Sequence, residues 1–417
     1  MKSREKLIAA LNHQCIGKLA FDLGATKATG INASMLYRLR KAYGRDEPVK
    51  IYDVYQMLGM IDEKDMEMFG IDVVGIWSDV TCFGYRNKNW KSWTMPDGTP
   101  ALVGEGFAST VDSAGTTFIY PQGDLTAKPS GRLPKNGYYF DQIVRQEAFD
   151  EDSANAFEDY KEQFVLYDDE TLRYYEENTS YYYNNTDYGI VLNAEVSAFG
   201  AATQVIGPML KVSPGIRDLA EWLMAHHLYP DYVKEIFEFQ SDMAIKNLQL
   251  LKEAVGNKPQ AVFLSSTDFG TQAGPIMSVA MFQELYTPYY RKVCNWVHEN
   301  TTWKTLFHSC GSVSPFMDEM VDFGLDCLNP IQCEAANMDP QALKNKYNKK
   351  LVFWGGGVDS QSTIAKGTPD DVEKQMEERI RILGADGGFV FSIGHNIQIN
   401  DPMDNVRRVF DVLKNYR

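Results

Sequence analysis

The second half of the chain alternates short apolar stretches with amphipathic ones, and this rhythm limits the folds open to it. The apolar stretches are YGIVLNA (188–194), QAVFLSS (260–266), WKTLFH (303–308), LDCLNP (325–330), KLVFWGG (350–356) and GFVFSIG (388–394). Each is followed by a segment with helical spacing, such as PDDVEKQMEERIRILG or PMDNVRRVFDVLKNY. Strands apolar on both faces and separated by helices belong to a parallel sheet covered by helices. KLAF (18–21) and DVVGI (72–76) supply two earlier strands. Eight parallel strands, each with its helix, close naturally into a (β/α)8 TIM barrel. The alternative is an open doubly wound sheet, but no GxGxxG fingerprint follows an early strand.

The first half carries the additions to that barrel. MKSREKLIAAL has helical periodicity, and SMLYRLRKAYG (34–44) stops at Gly44 as a helix does, so the reading includes an N-terminal helical extension. The spacing of IYDVYQMLGMIDEKDMEMFG (51–70) also predicts helix. From about 77 to 145, Trp, Tyr, Thr and Gly abound and DG, SAG, PQG and KNG turns recur. That pattern predicts an inserted β-hairpin region rather than a separate domain. The acidic, tyrosine-rich stretch 146–186 is expected to be mostly helical with exposed faces.

Bulk properties exclude some functions. A formal net charge of −15 leaves no basic stripe for nucleic-acid phosphates. No apolar run reaches the roughly 18 residues a membrane span needs, and the expected location is cytoplasmic. The six cysteines show no disulfide spacing, but Cys294, Cys310, Cys327 and Cys333 cluster. In a reducing compartment such clustering favours thiol or metal chemistry, with Cys294 and Cys327 equally suited to the core.

Active sites of (β/α)8 barrels lie at the C-terminal ends of the strands. Five successive strands here deliver polar or metal-capable groups to that rim. They are Asp268 and Gln272 in TDFGTQ, His308 and Cys310 in HSCG, and Gln332, Cys333 and Glu334 after LNP. Then come Gly355, Gly356 and Gly357 with Asp359 and Gln361, and last His395, Asn396 and Gln398. His308 and Cys310 read either as a satisfied turn or as two ligands of a zinc ion, which needs three protein donors when catalytic. Gly311 lets the backbone turn sharply between them and the next element. His395, Cys333, Asp268 and Glu334 are candidates for the third donor, with His395 placed first and Cys333 second. Asp268 reads either as a turn former or as a group that accepts a proton or orients a metal-bound one. Gly356 and Gly357 serve close approach to a cofactor or only a tight turn.

At this point the residues resemble a known family. REKLIAALNH, TDFGTQAGP, FHSCGSV, LNPIQ, FWGGGVDSQ, GTPDDV and FSIGHNIQINDPMDNV are similar, in order and spacing, to blocks of the uroporphyrinogen decarboxylase superfamily. The resemblance implies one barrel domain over 1–417 with the insert at about 77–145. The family's arginine-rich segment after the first helix is absent: GKLAFDLGATKATG has no arginine. The chain therefore looks more like the cobalamin-dependent methyltransferases of the same superfamily, of the methylcobalamin:coenzyme M or O-demethylase type. That resemblance implies zinc on His308, Cys310 and a third ligand, His395 standing where those enzymes have a cysteine. It implies Asp268 and His395 as catalytic residues, Gly356 and Gly357 beside the cofactor, and Gln272, Gln332, Asp359, Gln361, Asn396 and Gln398 around the substrate. The substrate would be a small methyl donor or thiol acceptor. The corrinoid would come on a partner protein, since DxHxxG is nowhere in the chain. It leaves room for a homodimer. The alternative function is metal-free decarboxylation of a carboxylated cyclic substrate.

Overall fold

The eight apolar stretches become neighbours in one parallel sheet. In the computed structural model, which describes residues 1–417, they are β1 (Ala20–Phe21), β2 (Val73–Ile76), β3 (Gly189–Asn193), β4 (Ala261–Ser265), β5 (Lys304–His308), β6 (Cys327–Asn329), β7 (Val352–Trp354) and β8 (Phe389–Phe391). Each pairs in parallel with the next from β2 round to β8, and β8 pairs with β1. This is the expected (β/α)8 barrel. Its strands are short, and helices cover them in the manner of Pro230–Val255, which buries Val233, Ile236, Phe237, Leu248 and Leu251 along one stripe.

The ring closes between β1 and β2 without a regular ladder. Asp72, just before β2, donates its backbone N–H to Phe21 O at 2.8 Å, and its carboxylate accepts the Phe21 N–H at 3.0 Å. The same carboxylate takes Lys6 Nζ at 2.8 Å and the Ser3 hydroxyl at 2.6 Å. Both come from the first helix, Ser3–Leu11. One buried aspartate thus stands in for missing ladder bonds and anchors the helix beneath the seam.

That helix plugs the barrel floor. Leu7, Ala10 and Leu11 pack in one cluster with the inward-facing Ala20, Val73, Val191, Leu306, Val352 and Val390 of the strands. Gly189 makes the approach feasible, since a Cβ there would lie 2.5 Å from Leu7 Cδ2. Cys327 lies in the same cluster and Cys294 is buried in the outer core, both as free thiols.

Two four-stranded sheets lie outside the barrel. Ser109–Val111, Thr117–Ile119, Gly131–Leu133 and Asp141–Gln142 form one antiparallel ribbon. In the other, Lys91–Thr94 and Pro100–Val103 make a hairpin that joins Val49–Asp53 and Leu58–Gly59. The expected helix over 51–70 is therefore corrected: only Glu63–Phe69 is helical, between an Asp62 cap and the left-handed Gly70. Val49 and Lys50 are drawn into strand by parallel pairing with Ala101 and Leu102, a distant partner that local spacing does not reveal, and Ile51 and Asp53 by antiparallel pairing with Leu58–Gly59. In 146–186 the long helix is Asp169–Asn185, one face of which buries Tyr175, while 146–168 is mostly irregular with single turns. No helix is long and apolar enough to cross a membrane.

Candidate metal centre

β5 ends in His308, and the chain then turns through Ser309 and Cys310 to Gly311, whose φ of +83° only glycine adopts without strain. The turn folds both side chains toward one point, with Cys310 Sγ 3.2 Å from His308 Nε2. His395, four residues past β8, meets them from across the rim; its ring centroid is 5.8 Å from that of His308. One donor atom from each of His308, Cys310 and His395 lies within 4.8 Å of the others. Zinc–nitrogen and zinc–sulfur bonds of about 2.1 and 2.3 Å place ligand atoms roughly 3.3–3.8 Å apart. Two imidazoles and a thiol at these separations fit a zinc ion after small side-chain adjustment.

The neighbouring residues orient the donors. Asn329, at the end of β6, donates from Nδ2 to Trp354 O at 2.9 Å, which turns its Oδ1 toward His308 Nδ1 at 2.7 Å. His308 must then carry its proton on Nδ1, leaving the Nε2 lone pair facing Cys310 and His395. Replacing Asn329 by Ala is expected to weaken zinc binding about 10–100-fold, the usual loss when such a second partner goes, as read by competition with a chromogenic chelator.

Asp268 closes the group from β4. Its Oδ1 accepts the Cys310 N–H at 2.8 Å and lies 3.5 Å from His308 Nε2. Burial, and then Asp268, push the Cys310 thiol well above its ordinary value, so a cation among the donors is what this sulfur needs to ionise. Burial and then the His308 imidazole push His395 down to about 4, against the pull of Asp268. Without metal, His395 stays neutral to about pH 4, whereas an unfolded chain takes the proton near 6.5. The unfolded state binds more protons across that window, so folded stability falls as the pH drops from about 6.5 to about 4. His395→Gln should flatten this part of the curve in urea titrations of metal-free protein at several pH values.

The remaining rim residues hold loops to one another. Gln332 accepts the Gly311 N–H at 2.5 Å and is 3.3 Å from Gln272 Nε2. The backbones of Gly270 and Gly311 pass back to back: a Cβ on Gly270 would sit 2.7 Å from Cys310 O. Ser312 N–H donates to Thr271 O, and Phe269 N–H to Ser309 Oγ. Cys333 lies outside the donor cluster, 3.5 Å from its own loop's Ile331 O, and Glu334 is paired with Arg379 at 2.9 Å. A Cβ on Gly356 would meet Ile331 O and one on Gly357 the Phe391 ring, so close packing requires glycine at both positions. Asp359 caps the turn Ser360–Ile364 by accepting from Gln361 N and Ser362 N, and the Gln361 side chain is exposed. Asn396 is buried and accepts the Gly30 N–H at 2.6 Å, and the exposed Gln398 donates to Asn396 O.

The donor cluster opens onto a cavity of about 220 Å³ whose opposite wall comes from the first half of the chain. Lys27, in the loop after β1, bonds Glu195 at 2.8 Å, and Glu195 also accepts from Ser266 Oγ at 2.6 Å. Burial opposes the Lys27 charge, but Glu195 and Asp53 outweigh it and hold the ammonium above its ordinary value. Glu195 sits at φ +45°, an uncommon conformation for a residue with a side chain. Sequence reasoning missed Lys27, Glu195 and Asp53. The signal was present for two of them: Lys27 and Glu195 follow β1 and β3 closely, as rim residues must.

Residues 192–416, more than half of the chain, match the model of the family described as uroporphyrinogen decarboxylase (URO-D). The whole fold is similar to that of a methyltransferase from Methanosarcina mazei, at 15% identity and a TM-score of 0.56, over 100% of this chain and 99% of the other. Among curated proteins none matches in sequence.

Proposed function

The chain belongs to the uroporphyrinogen decarboxylase family, and from that premise we propose that it is a zinc-dependent methyltransferase served by a separate corrinoid protein. The observation that carries this reading is the convergence of His308, Cys310 and His395, with the His308 tautomer fixed by Asn329. The similarity in fold to a methyltransferase agrees with it. Zinc held by these three residues would supply a Lewis acid, lowering the pKa of a thiol acceptor or polarising the heteroatom of a methyl donor.

The chain's own residues do the rest. Asn329 keeps the His308 lone pair aimed at the cluster. Asp268, half exposed at the cavity and 3.5 Å from His308 Nε2, is placed to take the proton a thiol releases. The cavity of about 220 Å³ admits a small molecule, with Lys27 and Glu195 at its far end. The corrinoid is assigned to a partner because the chain has no DxHxxG motif of its own.

The test has two parts. Anomalous scattering at the zinc edge is expected to place one ion among the three side chains. Methyl transfer from methylcobalamin to small thiols, or from methoxylated compounds to cob(I)alamin, is expected to vanish on chelation and return with zinc. Full activity in stripped protein would end this reading.

A further inference from the structure

Behind the wall that carries Lys27, a second chamber of about 60 Å³ continues the site cavity. The two share Lys27, Asp53, Cys82 and Glu195. Tyr52 and Asn193 line the smaller chamber, and both are more than nine-tenths buried. Neither Tyr52 Oη nor Asn193 Oδ1 has a hydrogen-bond partner. The orientation of Asn193 is not arbitrary, because its Nδ2 donates to Ala25 O at 2.8 Å and so leaves Oδ1 as the unpartnered atom. Two orphaned polar atoms in one buried space cost stability unless something fills it.

The charges there do not balance. Lys27 is paired with Glu195 at 2.8 Å, whereas no cation lies within ion-pair distance of Asp53, whose carboxylate accepts backbone N–H groups of its own loop, that of Gln56 at 2.9 Å. The group of one ammonium and two carboxylates is one positive charge short, and a buried carboxylate is costly until it is matched. Burial accordingly raises the Asp53 pKa in spite of Lys27. An anionic ligand would worsen the imbalance and a cation would cancel it. Tyr52 and Trp77 also line the chamber, their rings packed against each other with centroids 4.8 Å apart. Asn193 Oδ1, Asp53 and Tyr52 Oη are acceptors for N–H donors.

We propose that this chamber is a subsite for a small ammonium group, so that the molecule spanning the cavity to the His308–Cys310–His395 cluster carries an amine. As a statement about the substrate it rests on the methyl-transfer reading, but the affinity for an ammonium is measured without zinc or corrinoid.

The experiment is calorimetric titration of the full chain with three probes of similar size: methylammonium, methanol and acetate. Methylammonium is expected to bind, and acetate and methanol to bind at least about tenfold more weakly, as befits a charge-assisted hydrogen bond in a buried site. Asp53→Asn should weaken methylammonium about tenfold or more and leave zinc content unchanged. Tyr52→Phe, which removes only an unpartnered hydroxyl and keeps the ring, should weaken it severalfold in a protein that still folds. Equal affinity for acetate and methylammonium overturns the proposal, as does native affinity in both variants, or a chamber that holds only water and takes none of the probes. Zinc present with no probe bound defeats this subsite alone. Methylammonium bound by a protein that takes no zinc defeats the methyl-transfer reading alone.

Discussion

Cys310→Ala is expected to lose its zinc and its methyl-transfer activity while keeping its fold. Structural zinc sites bind with about 10–16 kcal/mol, so each ligand of such a set is worth roughly 3 kcal/mol, and losing one should cost two to three orders of magnitude in affinity. With only three protein donors converging, the two that remain leave a weak site. Metal content by elemental analysis should fall from about one ion per chain to a trace, and transfer to the uncatalysed background. The fold should survive because the Cys310 side chain bonds only His308; its backbone N–H, which holds the turn to Asp268, is untouched by the substitution. Melting curves of metal-free native and variant protein should therefore overlap within about 1 kcal/mol of stability. A variant that retains stoichiometric zinc would remove the thiol from the ligand set.

Asp72→Ala is expected to destabilise the protein by about 3–5 kcal/mol, the cost of leaving a buried partner charge uncompensated. Three groups lose their acceptor together: the Lys6 ammonium, the Ser3 hydroxyl and the Phe21 N–H. Lys6 and Asp72 are 7% and 2% exposed, too little for water to take over. A double variant, Lys6→Met with Asp72→Leu, should recover part of the loss, since an apolar pair leaves no unmatched charge. The urea midpoint reads both effects. A single variant within about 1 kcal/mol of native would show that the β1–β2 seam is held by something other than this aspartate.

How much of this was legible in the sequence depended on whether a signal was local. The eight barrel strands were, because a strand buried on both faces writes an unbroken apolar run that nothing nearby can imitate. Residues 49–59 were not, since Val49 and Lys50 owe their strand character to the distant Ala101 and Leu102, and Leu58–Gly59 fold back on Ile51 and Asp53. The metal cluster was half legible. His308 and Cys310 are two residues apart and share a turn, so their convergence could be read. The ranking of His395 above Cys333 could be stated from the rim positions but only geometry could settle it, because the direction in which each loop points is set by its packing. Cys333 faces its own Ile331 carbonyl, and Glu334 is claimed by Arg379 on a helix. Asp359, Asn396 and Gln332 carry substrate-like chemistry but spend it on backbone N–H groups. A rim residue and a loop brace look the same in one dimension.

The back-to-back passage of Gly270 and Gly311 has a mechanical result. Together with the bonds from Gln332 and Ser312, it mortises the loops after β4, β5 and β6 into one block, and Gly356 against Ile331 adds the loop after β7. None of these loops can swing without dragging the others. An incoming guest or a docking protein would therefore meet this arc of the mouth as one rigid surface.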